Sequence, residues 1–131
     1  MEQRTGYTGD HARRGGREDL ALPELAVWPN QYEDRDYWIE IETPEFTCRC
    51  PKTGQPDFAR LTLRYVPGPS CVELKSLKEY LQAFRDVGIF HENVANRIHD
   101  DLARALAPRR LEVCTVFLPR GGITTTVRAG S

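Results

Sequence analysis

The chain has 131 residues, with 18 Lys and Arg against 19 Asp and Glu and a formal net charge of -1. That length predicts one domain with a real core, short for a self-contained enzyme with a cofactor site. The balanced charge excludes bulk attraction to nucleic acid or to an anionic membrane surface. No apolar run approaches the roughly 20 residues needed to cross a bilayer, and the N-terminus is polar where a signal peptide is apolar, which points to the cytoplasm.

Residues 1 to about 20 mix Gly6, Gly9, Gly15 and Gly16 with Arg4, Arg13, Arg14 and Arg17 and show no hydrophobic periodicity, so they are predicted to form a flexible N-terminal arm. Asp10, Glu18 and Asp19 dilute its charge and aromatic interleaving is lacking, so no direct nucleic-acid contact is predicted. A single domain is expected over residues 21–131. From Leu20 to Tyr37, Pro23 and Pro29 interrupt Leu22, Leu25, Val27 and Trp28, predicting an irregular lead-in packed on that domain. Trp38-Ile39-Glu40-Ile41-Glu42-Thr43 alternates with period two and predicts a half-buried strand that stops at Pro44.

Between Phe46 and Phe58, Pro51, Gly54 and Pro56 separate Cys50 from Asp57 and exclude a regular helix or a central strand. The connection is a shaped loop that can bring a thiol and a carboxyl around one small object. In that pairing a thiolate attacks an electrophilic carbon while the acid protonates the heteroatom that gains charge. A buried structural cysteine and a turn-forming aspartate fit the same residues. Cys48, Cys50, Cys71 and Cys114 are too few and too unevenly placed for a secreted disulfide scaffold and read as reduced thiols. Cys48-x-Cys50 has no second close pair behind it, and with only His91 or His99 to add, no metal site is predicted.

Phe58 to Val66 alternates again, Leu61, Leu63 and Tyr65 opposite Arg60, Thr62 and Arg64, and predicts a second strand ended by Pro67-Gly68-Pro69. From Glu73 the period becomes helical, with Leu74, Leu77, Leu81 and Phe84 on one face up to Gly88. A second helix starts near Glu92 or Asn93, carries Val94, Ile98, Leu102 and Leu106, and ends at Pro108, which puts His91 and Glu92 at the corner between the helices. His99 reads as a surface or packing residue. Leu111 to Leu118 predicts a third strand, Arg120-Gly121-Gly122 a turn, and Ile123 to Val127 a fourth strand. The order strand, strand, helix, helix, strand, strand predicts an α+β domain: a four-stranded antiparallel sheet with both helices on one face. Its open edges invite assembly into an oligomeric barrel.

Three blocks carry a family resemblance: Glu45-Phe46-Thr47 through Cys50-Pro51-Lys52-Thr53-Gly54-Gln55-Pro56-Asp57-Phe58, then Glu73-Leu74-Lys75-Ser76-Leu77-Lys78-Glu79-Tyr80, then Phe90-His91-Glu92. Pro119-Arg120-Gly121-Gly122 adds a fourth. Together, spanning Trp38 to Val127, they resemble the NADPH-dependent 7-cyano-7-deazaguanine reductases of queuosine biosynthesis, which share the tunnelling fold with GTP cyclohydrolase I. The resemblance implies reduction of the nitrile of 7-cyano-7-deazaguanine (preQ0) to the aminomethyl group of preQ1, with NADPH as cofactor. It makes Cys50 the nucleophile that forms a covalent thioimide and Asp57 the proton donor. His91 and Glu92 recognise the base, with Val72, Glu73 and Leu74 as further substrate contacts. Lys75, Ser76, Lys78, Arg120 and Gly121 are expected to hold NADPH.

The residue types suit that chemistry. A nitrile carbon becomes electrophilic as its nitrogen accepts a proton, and a carboxylate such as Glu92 can accept the paired N–H groups of a guanine-like edge. The bland alternative for Glu92 is a cap on the second helix, and for Lys75, Ser76 and Lys78 a solvated helix face. No Gly-x-Gly-x-x-Gly or Rossmann alternation is present. The chain departs from tandem relatives in having one domain, so active sites are expected between identical subunits. It also departs from short relatives that carry a protective cysteine where Val94 stands. Two other functions remain open: an amidinotransferase-type relative that adds ammonia to the nitrile on tRNA, which generally lacks the Lys75 to Tyr80 block, and a non-catalytic purine-binding protein, which does not need Cys50 and Asp57 together. A cyclohydrolase-like metal hydrolase is disfavoured by too few ligands around Cys50.

Overall fold

The computed structural model describes residues 20–130, so the arm expected over residues 1 to about 20 lies outside them except for Leu20, which packs against the core. Strands β1 (Val27–Pro29), β2 (Ile39–Arg49), β3 (Pro56–Val66) and β4 (Ser70–Val72) come first. Helix α1 (Leu74–Gln82) follows, with a short 3-10 turn (Ala83–Asp86), then α2 (His91–Leu106), β5 (Arg110–Phe117) and β6 (Thr126–Gly130). One antiparallel sheet runs in the order β2-β3-β5-β6, as the alternating sequences predict. A second, two-stranded sheet pairs β1 with β4.

The period-two pattern places Ala59, Leu61, Leu63 and Tyr65 of β3 on the core side with Leu111, Val113 and Phe117 of β5, all nearly inaccessible. Both helices cover this side. Tyr80 and Leu77 of α1, Phe84 of the 3-10 turn, and Val94, Ile98, Leu102 and Leu106 of α2 complete one core cluster. Each large apolar side chain so buried contributes roughly 1.5–3 kcal/mol, so the face of α2 alone holds the helix on the sheet. Its C-terminus closes on Ala107 in the left-handed region, against which Gly68 packs so tightly that an added Cβ would lie 2.6 Å from the Ala107 carbonyl oxygen.

Several boundaries differ from expectation. The strand predicted to stop at Pro44 continues to Arg49, because β2 is an edge strand and the register shifts between Thr43 and Phe46, a bulge where the missing proline amide costs no ladder bond. The lead-in predicted to be irregular contains β1, too short to show a period. The fourth strand begins at Thr126 rather than Ile123, since Ile123 exchanges both backbone hydrogen bonds with Arg120 in a tight turn and is 72% exposed. Leu74 faces outward, not into the core, and Tyr80 takes the buried position on α1. The second helix starts at His91, so that residue belongs to its first turn rather than to the corner before it.

Candidate active site

The Cys50 loop hangs between the last paired residues of β2 and β3, Arg49 and Pro56. Two backbone hydrogen bonds close it, from Cys50 N–H to the Gln55 carbonyl (2.8 Å) and from Gly54 N–H to the Cys50 carbonyl (2.9 Å). The return requires φ +75° at Gly54, a left-handed conformation suited to glycine. Partial burial pushes the Cys50 thiol up, but hydrogen bonds from the Thr53 hydroxyl and from the Thr53 and Lys52 amides outweigh it, and the thiol sits below its ordinary value. Two residues earlier, burial first and then the neighbouring Asp57 and Cys50 push the fully buried Cys48 thiol up to about 12. One thiol is thus held for thiolate chemistry and the other against it.

Because the folded state lowers the Cys50 value, its thiolate persists at lower pH than that of a free cysteine and is lost only as pH falls through the depressed value. Thr53→Val removes one stabilising hydrogen bond. The midpoint of the Cys50 alkylation rate against pH should then rise by roughly 0.5–1 pH unit, a charged hydrogen bond at a partly exposed site being worth about 1 kcal/mol. An unmoved midpoint would show that the amides alone hold the thiolate.

Asp57 is the second residue of β3 and its side chain is 8% exposed. The Thr47 hydroxyl donates to its carbonyl at 2.8 Å across the β2–β3 pair. Arg120 Nε donates to its Oδ1 at 2.9 Å, and His91 Nε2 lies 3.1 Å from its Oδ2. The Arg120 guanidinium is itself fixed by Gln55 Oε1 (2.6 Å from Nη1) and by the Pro56 carbonyl. The His91 ring stacks on Phe117 with centroids 3.6 Å apart and planes 3° from parallel. The carboxyl is therefore oriented by β5, by the β5–β6 turn and by the start of α2.

Glu92, in the first turn of α2, is exposed, and its carboxylate has no hydrogen-bond or ion-pair partner among the described residues. The cap position belongs to Phe90, with no side-chain hydrogen bond, so Glu92 makes no capping bond, while its place in the first turn still favours the N-terminal dipole of the helix. Cys50, Asp57, His91, Glu92 and Arg120 line one cleft of about 380 Å³, within the range that accepts a small bicyclic ligand.

The other expected site residues lie elsewhere. The eleven residues of β3 separate its ends by about 33 Å, and the Cys50 loop adjoins one end while β4 follows the other. Val72 is buried there, its N–H donating to the Tyr65 hydroxyl. The Glu73 carboxylate accepts from the Lys75 and Ser76 amides and is lowered by them, so these amides, in the stretch expected to hold NADPH, are already capped. The buried Ser76 hydroxyl accepts from Ala26 N–H and donates to the Glu73 carbonyl. Lys75 and Lys78 are exposed, and Lys78 shares with Leu74 a separate groove of about 230 Å³ between β2 and α1. Gly121 follows Arg120 with φ +56°. Sequence reasoning assigned Arg120 to the cofactor and missed its ion pair with Asp57 and the Phe117 stack. Val94, in the place of the protective cysteine, is fully buried.

Among the described residues no three His, Cys, Asp or Glu side chains converge as a metal site, and no helix is long and apolar enough to cross a membrane.

A family profile described as QueF-like protein matches residues 56–131. A NADPH-dependent 7-cyano-7-deazaguanine reductase of Elusimicrobium minutum is 53% identical over 124 residues, covering 95% of this chain and 92% of the relative. One from Nitrosospira multiformis is 61% identical over 105 residues, 80% of this chain and 76% of the relative. Among solved structures, the apo archaeosine synthase QueF-Like aligns with a TM-score of 0.67 at 20% identity, over 72% of this chain and 92% of that one, a likeness of fold.

Proposed function

The chain belongs to the family of NADPH-dependent 7-cyano-7-deazaguanine reductases, and we propose that it catalyses the reaction for which those relatives are named. It reduces the nitrile of preQ0 to the aminomethyl group of preQ1, a step in queuosine biosynthesis. The observation that carries the reading is the convergence of a lowered thiol, a shielded carboxyl and an exposed carboxylate in one cleft.

Glu92 accepts the adjacent N–H groups of the guanine-like edge, and His91 sets the ring against the cleft wall. The Cys50 thiolate attacks the nitrile carbon. One π bond of the C≡N group moves onto nitrogen, which takes a proton from Asp57, and a covalent thioimide results with no atom lost. Arg120 and His91 hold the carboxylate that remains. NADPH, when bound, would supply the two hydrides, four electrons in all, which with two protons, the first from Asp57 and the second from water, take the nitrile to the amine. Cys50 anchors the carbon during the first and leaves as thiolate. Lys75 and Lys78, with Arg120 and Gly121, are the groups that suit the cofactor phosphates. Ser76 positions the start of α1 between them.

Val72, Glu73 and Leu74 are too far along the sheet to reach the Cys50 cleft of their own chain, which supports a homo-oligomer whose active sites lie between subunits. The edge strands β2 and β6 offer the means to close a barrel. Residues 21–131 act as one catalytic domain, and the enzyme works in the cytoplasm, on a free base rather than on nucleic acid, where thiols stay reduced.

Mixing the protein with preQ0 and NADPH should oxidise two NADPH per preQ0 and, without NADPH, leave an adduct on Cys50 that adds the full mass of preQ0. An adduct without any cofactor oxidation would point to ammonia addition instead. No adduct would leave only base binding.

A further inference from the structure

Arg49 ties together three segments that the proposed chemistry needs in fixed relation. Its N–H donates to the Val87 carbonyl (2.9 Å) and its carbonyl accepts from Ile89 N–H (3.0 Å), a parallel bridge that joins the end of β2 to the segment just before Phe90-His91-Glu92. Its side chain reaches both the Cys50 loop and the 3-10 turn before the corner. Nη1 donates to the Gly54 carbonyl at 2.9 Å, while Nη2 reaches Asp86 Oδ1 at 3.3 Å. The Gly54 carbonyl is presented by the left-handed apex of the loop whose amides face Cys50. One residue thus spans the thiol loop and the corner that launches the base-recognition pair.

We propose that Arg49 is a positioning residue that sets the spacing between Cys50 and the His91–Glu92 pair, by clamping the nucleophile loop to the corner preceding α2. The proposal rests on Cys50 and Glu92 having the roles given above. With the base held at Glu92, the nitrile carbon stands at a fixed point. Attack then depends on where the loop carries the sulfur. The Asp86 contact is exposed, 42% and 82% on the two side chains, and such pairs hold little. The bond to the Gly54 carbonyl is therefore the part of the clamp that acts on the loop. Its loss lets the turn open without touching the core, so melting should change little while geometry suffers. A misplacement of the order of 1 Å costs up to about 100-fold in rate.

Arg49→Met keeps the backbone bridge and removes both side-chain bonds. Thioimide formation with preQ0, followed by intact mass, should slow by roughly 10–100-fold. The dissociation constant of preQ0, measured in a Cys50→Ala background, should stay unchanged. The Cys50 alkylation midpoint should move up, because the Thr53 and Lys52 amides drift from the sulfur. Arg49→Lys, which can still reach the Gly54 carbonyl, should recover most of the rate, and Asp86→Asn should have little effect. Wild-type adduct rate together with an unmoved alkylation midpoint in Arg49→Met would overturn the proposal. So would a loss of preQ0 affinity equal to the loss of rate, since Arg49 would then act on binding. If the wild-type chain forms no adduct, the assigned reaction fails, while the alkylation profile still decides whether Arg49 positions the thiol.

Discussion

Replacing Cys50 with alanine is expected to remove the preQ0 adduct and NADPH oxidation together, lowering turnover by about 10⁴-fold or more, the scale on which a covalent nucleophile is missed. The prediction is this large because no other thiol can take over. Cys48 lies on the core face of β2, has no accessible surface, and its thiol is pushed up to about 12, leaving a negligible thiolate fraction near neutral pH. Cys71 is buried in β4 at the far end of the sheet. Cys114 pairs in register with Thr62 and Arg128, on the face of the sheet away from the helices. Cys50→Ala should fold as the native chain does, since the side chain is only partly buried and the loop is closed by backbone bonds that alanine keeps. The measurement is intact mass after incubation with preQ0, alongside cofactor absorbance. An adduct that survives in Cys50→Ala would move the nucleophile elsewhere and remove the mechanism.

The parts of this protein legible in its sequence are those set by local periodicity and by proline and glycine. Leu61, Leu63 and Tyr65 against Arg60, Thr62 and Arg64 fix the two faces of β3 whatever lies around them, and the four-residue spacing from Val94 to Leu106 fixes the buried stripe of α2. The Cys50–Asp57 connection is legible for the same reason: Pro51, Gly54 and Pro56 leave the backbone few alternatives. What the sequence hides depends on partners distant along the chain. Arg120 meets Asp57 across 63 positions, and the meeting depends on the β5–β6 turn folding back over the end of β3. The Glu73 cap was equally hidden: a glutamate ahead of a helix reads both as a ligand group and as a cap, and only its geometry, accepting from the Lys75 and Ser76 amides, decides. Strand β1 escaped because three residues carry no period. Its existence follows from β4 lying beside it, which Pro67-Gly68-Pro69 alone does not foretell.

Asp57→Asn should separate proton delivery from binding. The amide has the shape of the carboxyl, and its oxygen can still accept from Arg120 Nε, while Arg120 keeps Gln55 and the Pro56 carbonyl. Removing one partner of a buried ion pair costs about 3–5 kcal/mol when the survivor is stranded. Here Arg120 is 46% exposed and doubly held, so the loss of stability should be well below that range. The chemistry, by contrast, loses its acid. An amide N–H is far too weakly acidic to protonate the nitrile nitrogen, and general acids contribute roughly 10²–10⁴ in rate. Adduct formation in Asp57→Asn should fall by that factor while Cys50 alkylation stays at least as fast as in the native chain, because the thiolate is held by Thr53 and Lys52 and the Asp57 charge, which pushes the thiol up, is gone. Glu92, the proposed base-recognition residue, is untouched in this variant, so preQ0 affinity should survive. If adduct forms at the native rate in Asp57→Asn, the proton comes from another donor, with His91 the nearest candidate at 3.1 Å from Oδ2. If alkylation collapses along with adduct formation, Asp57 shapes the thiol loop rather than supplying the proton.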